Sequence, residues 1–295
     1  MGSRRVDAPR EVLRRIEEVK DSLLPRYGWY PSDPESPRWW GGLSSALEIA
    51  VSAVLVQLSR WDSALASLEA LRSAGLLDLG RLAAADPEEV APLIRRSGMP
   101  LEKARRIIGM ARASGGTADG LCDRERLLSV RGIGEETADS ILLFACNRPV
   151  WPASRLGVRV LSRFGMEVRG GYAAWRASVE GALPGDLYSY KLLHAGLVSV
   201  ARAYCALGRP RCEGCPLSDA CRYSARRRLT SRTSSGSTSS TLPRITRSAS
   251  SSISVGSPFI IASLAPLSFA LRGREFAGAT VSDVPTARKT SDAVA

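Results

Sequence analysis

The stretch LLSVRGIGEETADSILLFA, residues 127–145, decides how the rest of the chain is read. Gly132-Ile133-Gly134 forms a tight turn between two segments of helical pattern, and Leu128, Val130 and Ile133 supply apolar contacts to hold the two helices together. Glycines let the backbone adopt positive φ and let another molecule come close. The turn amides and the N-terminus of the second helix then point at an anion. A G-x-G turn is a weak signal by itself, because a purely structural turn uses the same residues.

The flanking sequence is helical on both sides. Residues 9–24 carry Val12, Ile16 and Val19 among charges, and a mostly apolar helix begins with Leu47, Ile49, Val51, Val54 and Leu55. Asp86-Pro87-Glu88-Glu89 is a helix start, with an Asp cap, Pro at the first position and acid in the first turn. Leu101 to Ala113 reads as an amphipathic helix with Arg105, Arg106 and Arg112 outside, and further helices fit 135–146, 155–164, 173–182 and 187–203. No run of alternating strand pattern occurs, so the expected fold is all-α.

A second cluster lies downstream. ARAYCALGRPRCEGCPLSDAC places Cys205, Cys212, Cys215 and Cys221 at C-x6-C-x2-C-x5-C. Four thiolates in one short loop can close around a metal centre. The spacing admits zinc or a four-iron cluster, and two disulfides are the plain alternative. Cys122 and Cys146 lie far from the loop and read as ordinary buried residues.

Taken with the Pro216-Leu217 that follows the third cysteine and the Thr137-Ala138 that follows the hairpin, the chain resembles the endonuclease III-like helix-hairpin-helix (HhH-GPD) DNA glycosylase superfamily over about residues 10–225. ALEIAVSAVLVQLSRWDSALASLEAL resembles its early helices, and PVWPASRLGVRVLSRFG, residues 149–165, the segment after its hairpin. The resemblance implies a two-lobed helical fold, a [4Fe–4S] cluster on the four cysteines and double-stranded DNA, damaged or distorted, as partner. It makes Gly132, Ile133, Gly134 and Thr137 DNA-binding residues, gives Gln57 the space left by an extruded base, and sets Trp61 at the start of the next helix. Arg209 and Arg211, between the first two cysteines, are candidates for phosphate contact.

The same resemblance fails at the catalytic positions. The lysine with which bifunctional members form a Schiff base falls on Glu136, and the near-universal aspartate that opposes a cationic sugar falls on Ser154. Two expectations follow. Either Glu136 serves as the carboxylate of a monofunctional hydrolysis, or the protein is a catalytically inactive iron–sulfur binder of DNA structure. Asp139, inside the second hairpin helix, reads as structural; Lys103 and Lys191 read as surface lysines; His194 reads as packed near the cysteine-loop helix.

Bulk properties agree with a polyanionic partner. Net charge is +12, nearly all from arginine, since Lys20, Lys103, Lys191 and Lys289 are the only lysines; arginine-rich codon usage is the alternative source. The first residues, MGSRRVDAPR, carry no secretory pattern, so the expected setting is reducing and cytoplasmic, which favours metal over disulfides. Composition changes near Arg228. From Thr230 to Ser257, 17 of 28 residues are Ser or Thr, too polar to offset the entropy of ordering. Residues 248–271 lack charge, but their serines, Gly256, Pro258 and Pro266 argue against a membrane span. The expected organisation is a monomeric glycosylase-like domain over 1–228, with the hairpin at 127–146 and the cysteine loop at 205–221, then a disordered tail over 229–295.

Overall fold

The computed structural model describes residues 8–235, and the expectations for 236–295 lie outside the described residues. Among the described residues thirteen α-helices follow one another: α1 Ala8–Leu23, α2 Ala46–Leu55, α3 Trp61–Ser73, α4 Leu79–Ala84, α5 Pro87–Val90, α6 Pro100–Ala113, α7 Ala118–Leu121, α8 Arg124–Ser129, α9 Glu135–Phe144, α10 Arg155–Phe164, α11 Tyr172–Glu180, α12 Leu187–Ala203 and α13 Arg222–Ser235. The described residues contain no strand, only one antiparallel bridge between Trp29 and Trp40. The all-α expectation therefore holds. Helices α2–α9 pack as one lobe, while α1 returns to join α10, α12 and α13 in the other. No described helix is long and apolar enough to cross a membrane.

Local chemistry explains the element ends. Ser45 and Glu48 form a reciprocal capping box at the start of α2, Asp86 caps α5 with Pro87 in the first turn, and Asp123, Ser154 and Asp186 cap α8, α10 and α12. Helix α2 is buried along Glu48–Leu55 and forms the centre of its lobe. Its one acid, Glu48, is accommodated because Ser44 and Ser45 donate to it and Arg72 pairs with it at 2.6 Å.

The hairpin is built from α8, a turn and α9. Gly132 has φ +93°, and a Cβ there would lie 2.2 Å from Arg106 Nε, so only glycine fits. Leu127, Val130 and Ile133 are buried beneath the turn, and Leu128 packs against the same core. Asp139 is structural, as expected. Its buried carboxylate accepts from Arg124 Nε at 2.6 Å, Arg176 Nη1 at 3.1 Å and the Tyr172 hydroxyl at 2.9 Å, which ties the hairpin to α11.

Four expectations are corrected. Cys122 and Cys146 are joined in a disulfide across 24 residues, bracketing α8 and α9, although a reducing setting favoured free thiols. Lys103 and Lys191 are fully buried rather than on the surface. Lys103 Nζ donates to the carbonyls of Leu55 and Ser97, closing the open C-terminus of α2, and Lys191 Nζ donates to Pro34 O and Asn147 Oδ1. Burial lowers both ammonium groups to about 8. Arg106 is half-buried, with Nη1 on Gln57. The helix α13 runs through the composition break at Arg228 to Ser235. Reducing the disulfide is expected to lower unfolding free energy by about 3 kcal/mol, from the loop it closes; denaturant titration with and without a dithiol measures this.

Candidate nucleic-acid interface and catalytic cleft

A cleft opens between the lobes. Tyr27, Trp29, Trp40 and Trp61 line it from one side, and His194 and Val198 of α12 close it. The aromatic wall depends on two glycines. Gly28 and Gly41 have φ +79° and +67°, and a Cβ on Gly41 would lie 2.1 Å from Trp61 Cζ2, so the indole lies directly against backbone. Behind it, Trp29 packs edge-on against Trp40 and His194. His194, buried on α12, the helix that leads into the cysteine loop, also lines the cleft. Burial lowers its pKa to about 4, so the ring is neutral at physiological pH.

Glu136 and Ser154, eighteen positions apart, both line this cleft. Glu136 stands in the first turn of α9, and its Oε2 accepts from the backbone N–H of Arg155 at 3.3 Å. The side chain still reaches solvent at the cleft mouth, but the surrounding walls desolvate it and raise its pKa above the ordinary carboxylate value. Ser154 is buried, and its hydroxyl accepts from the N–H of Gly157 at 3.1 Å as the N-cap of α10. Ser154 thus presents a capping hydroxyl, and no charge, beside the cleft.

Gln57 joins the cleft to the hairpin. Its Nε2 donates to Thr137 Oγ1 at 2.9 Å and to Gly132 O at 3.3 Å, and its Oε1 accepts from Arg106 at 2.8 Å. Leu58 beside it is 94% exposed at φ +50°. Gly134 is the N-cap of α9, has no side chain to satisfy the helix's first N–H groups, and has no atom within 4 Å of a built Cβ. Ile133 differs from its neighbours. Its side chain is buried and its N–H donates to Val130 O, so it supports the turn from within.

The family model that describes the HhH-GPD superfamily base excision DNA repair protein matches residues 51–192. A putative DNA repair glycosylase of Methanocaldococcus jannaschii is 30% identical over 223 residues, 72% of this chain and 96% of its own length. The chain belongs to the HhH-GPD superfamily. A thymine-DNA glycosylase of Aeropyrum pernix is 27% identical over 71% of this chain and 95% of its own. Among solved structures, a trapped endonuclease III–DNA covalent intermediate shares the fold with TM-score 0.60 at 19% identity, covering 74% of this chain and 96% of that one.

The cysteine loop of this HhH-GPD protein lies beyond the matched segment. Cys205, Cys212, Cys215 and Cys221 are free, half-buried, and line one small pocket with Val160, Phe164 and Leu217. Burial pushes the Cys215 thiol up to about 11 and raises Cys221, while the backbone N–H groups of Leu217, Tyr223 and Ser224 work against the shift. Arg163 donates to Cys205 Sγ at 3.3 Å and to the carbonyls of Ala206 and Leu207. Among the described residues, no group of three or more His, Cys, Asp or Glu forms a ready single-ion site. Arg209 is exposed, whereas Arg211 Nη2 is bound to Ala203 O at 2.6 Å, which makes Arg211 a brace of the loop.

Sequence reasoning missed the residues that set the site from behind: Trp29, Trp40, Arg106 and Tyr172. The Gly-Trp pair at 28–29 and the doublet at 39–40 were visible, but no helical period marks them, because they fold as a bridge between short 3-10 turns. Their glycines were the available signal.

Proposed function

We propose that this protein is a monofunctional DNA glycosylase that grips damaged or distorted duplex DNA through the hairpin and hydrolyses the N-glycosidic bond of a base drawn into the aromatic cleft. The observation that carries this reading is the raised, solvent-reaching carboxylate of Glu136, the one acid among the described residues lining a cleft whose wall includes three indoles and a neutral histidine. The α9 N-terminus and the open turn at Gly134 suit a phosphate, and Gln57 stands beside the mouth, where an extruded base leaves a gap. Water then attacks the sugar C1′, its proton passes to Glu136, and the C1′–N electron pair leaves with the base. The ionised Glu136 also opposes positive charge developing on the sugar. Among the described residues no amine lines the cleft for abasic-site lyase chemistry: Glu136 stands at the position of the family lysine, and Lys103 and Lys191 are buried with their Nζ atoms committed to oxygen acceptors. Base release from a panel of lesion duplexes, with borohydride trapping alongside, tests the reading.

A second reading, binding without catalysis, is favoured by Ser154. Its hydroxyl is spent on the α10 cap, so it supplies neither charge nor a base.

The four cysteines suit a [4Fe–4S] cluster. The donor set is all-thiol, the pocket between them is almost wholly apolar, and N–H groups of Leu217, Tyr223 and Ser224 already point at two of the sulfurs. Bound there, the group would supply structural closure and a redox-responsive centre. Arg163 and Arg211 hold the loop around it. The purified protein is expected to be brown with broad visible absorption and iron on analysis, and Cys212→Ser to bleach it; zinc without iron would overturn this assignment.

A further inference from the structure

We infer that α13 is a second DNA-binding element, an arginine helix that takes phosphates of the duplex beyond those reached by the hairpin. This rests on the DNA-binding reading above but concerns a segment outside the family match, which ends at residue 192.

The sequence of α13, RYSARRRLTSRTSS, holds five arginines and no acid. Arg222 and Arg226 are spaced i,i+4, and like charges at that spacing destabilise a helix. The helix also lacks an apolar stripe, so burial of one face does not explain it. The same lack argues against a membrane surface, which requires an apolar face.

Three arginines secure the helix. Arg222 pairs with Glu167 at 3.3 Å and packs over Gly165, Arg227 donates to Pro210 O at 2.8 Å, and Arg228 reaches Ser224 Oγ and Ser218 O. These bonds fasten α13 to the cysteine loop and to the segment after α10, and leave Arg226 exposed. Pro210, the acceptor of Arg227, is the direct neighbour of the exposed Arg209. Arg202, exposed at the cleft and three residues before Cys205, lies at the other end of the same segment. Arg202, Arg209 and Arg226 thus mark a basic run from the cleft mouth past the cysteine loop to α13. A helix whose only charged residues are arginines fits a polyanion, and a duplex held by the hairpin is the polyanion this protein meets.

Salt dependence of binding tests the inference on the full chain with an undamaged duplex of about 25 base pairs. Removing one arginine–phosphate pairing should flatten the slope of log affinity against log salt by about 0.9. Arg226→Gln is expected to flatten it by about one such step, and Arg202→Gln/Arg209→Gln/Arg226→Gln, which spares the arginines that fasten the helix, by about two to three. Arg226→Lys should keep the wild-type slope, which a merely structural role for the guanidinium would not predict. Unchanged slopes in the glutamine variants, with wild type binding DNA normally, overturn the role of α13 and leave the hairpin reading standing. Failure of wild type itself to bind duplex DNA overturns both.

Discussion

Replacing Glu136 by glutamine is expected to cut single-turnover base release by about 100-fold or more, the usual contribution of a positioned general base, while leaving duplex affinity equal or higher. Glutamine keeps the shape and can still accept from the Arg155 N–H, but it cannot take a proton from water or oppose a cationic sugar. The pH profile provides an independent check. Desolvation raises the Glu136 pKa, so the working ionised form fills only above the ordinary carboxylate range. Release should rise with pH through that higher value and then level off, and the variant should lose the rise. The stability sign runs the other way. A raised folded-state pKa means that ionisation opposes folding, so stability associated with Glu136 is fully present at low pH and falls as pH rises through the folded value. Glu136→Gln should therefore be no less stable than wild type at neutral pH. Base release that is indifferent to this substitution would leave a glycosylase with a different base. No release from any lesion would favour the binding reading. In that case Ser154→Asp becomes informative, because aspartate caps a helix as well as serine does and restores a carboxylate beside the cleft.

Much of this fold was legible because its signals are local. The apolar period of residues 9–24, the Asp-Pro start at 86–87 and the 187–203 segment correspond to α1, α5 and α12 within a residue or two at their starts. The hairpin was legible because a glycine at +93° against Arg106 admits no other residue. The cleft was not, since it depends on contacts across long sequence distance. Trp29 meets His194, Gln57 meets Thr137, and Glu136 meets Arg155 only after the lobes close. The buried lysines show the same limit. A lysine among helical residues reads as surface until the carbonyls it satisfies, such as those of Leu55 and Ser97, are brought beside it. The disulfide was missed for a different reason, because pairing was judged from the expected compartment rather than from distance; Cys122 and Cys146 sit at the outer ends of the hairpin's flanking helices, with Cα atoms 5.6 Å apart.

The two hairpin glycines should respond differently, and Gly134→Asp should give the largest loss of DNA binding without loss of fold. A side chain at Gly132 collides with Arg106 inside the protein, breaks the bond from Arg106 to Gln57, and strains a backbone at φ +93°, so any affinity it loses is confounded with instability. Gly134 has no such constraint. Its φ of −95° and ψ of 179° suit any residue, and a Cβ there meets nothing within 4 Å. It is the N-cap of α9 and leaves the first helical N–H groups uncapped. Aspartate is a favoured N-cap whose carboxylate accepts from those groups, so thermal stability should hold or rise. The same carboxylate takes the donors a phosphate would use and sets a like charge against it. Loss of a charge-assisted hydrogen bond, about 1.5–3 kcal/mol, corresponds to a fall in affinity of roughly 10- to 150-fold. The salt slope should also shrink by the share of about one phosphate. Gly134→Ser, which caps without charge, should fall between wild type and aspartate. A Gly134→Asp protein that is stable and binds duplex DNA as tightly as wild type would remove the α9 N-terminus from the interface and leave DNA binding to the arginines alone.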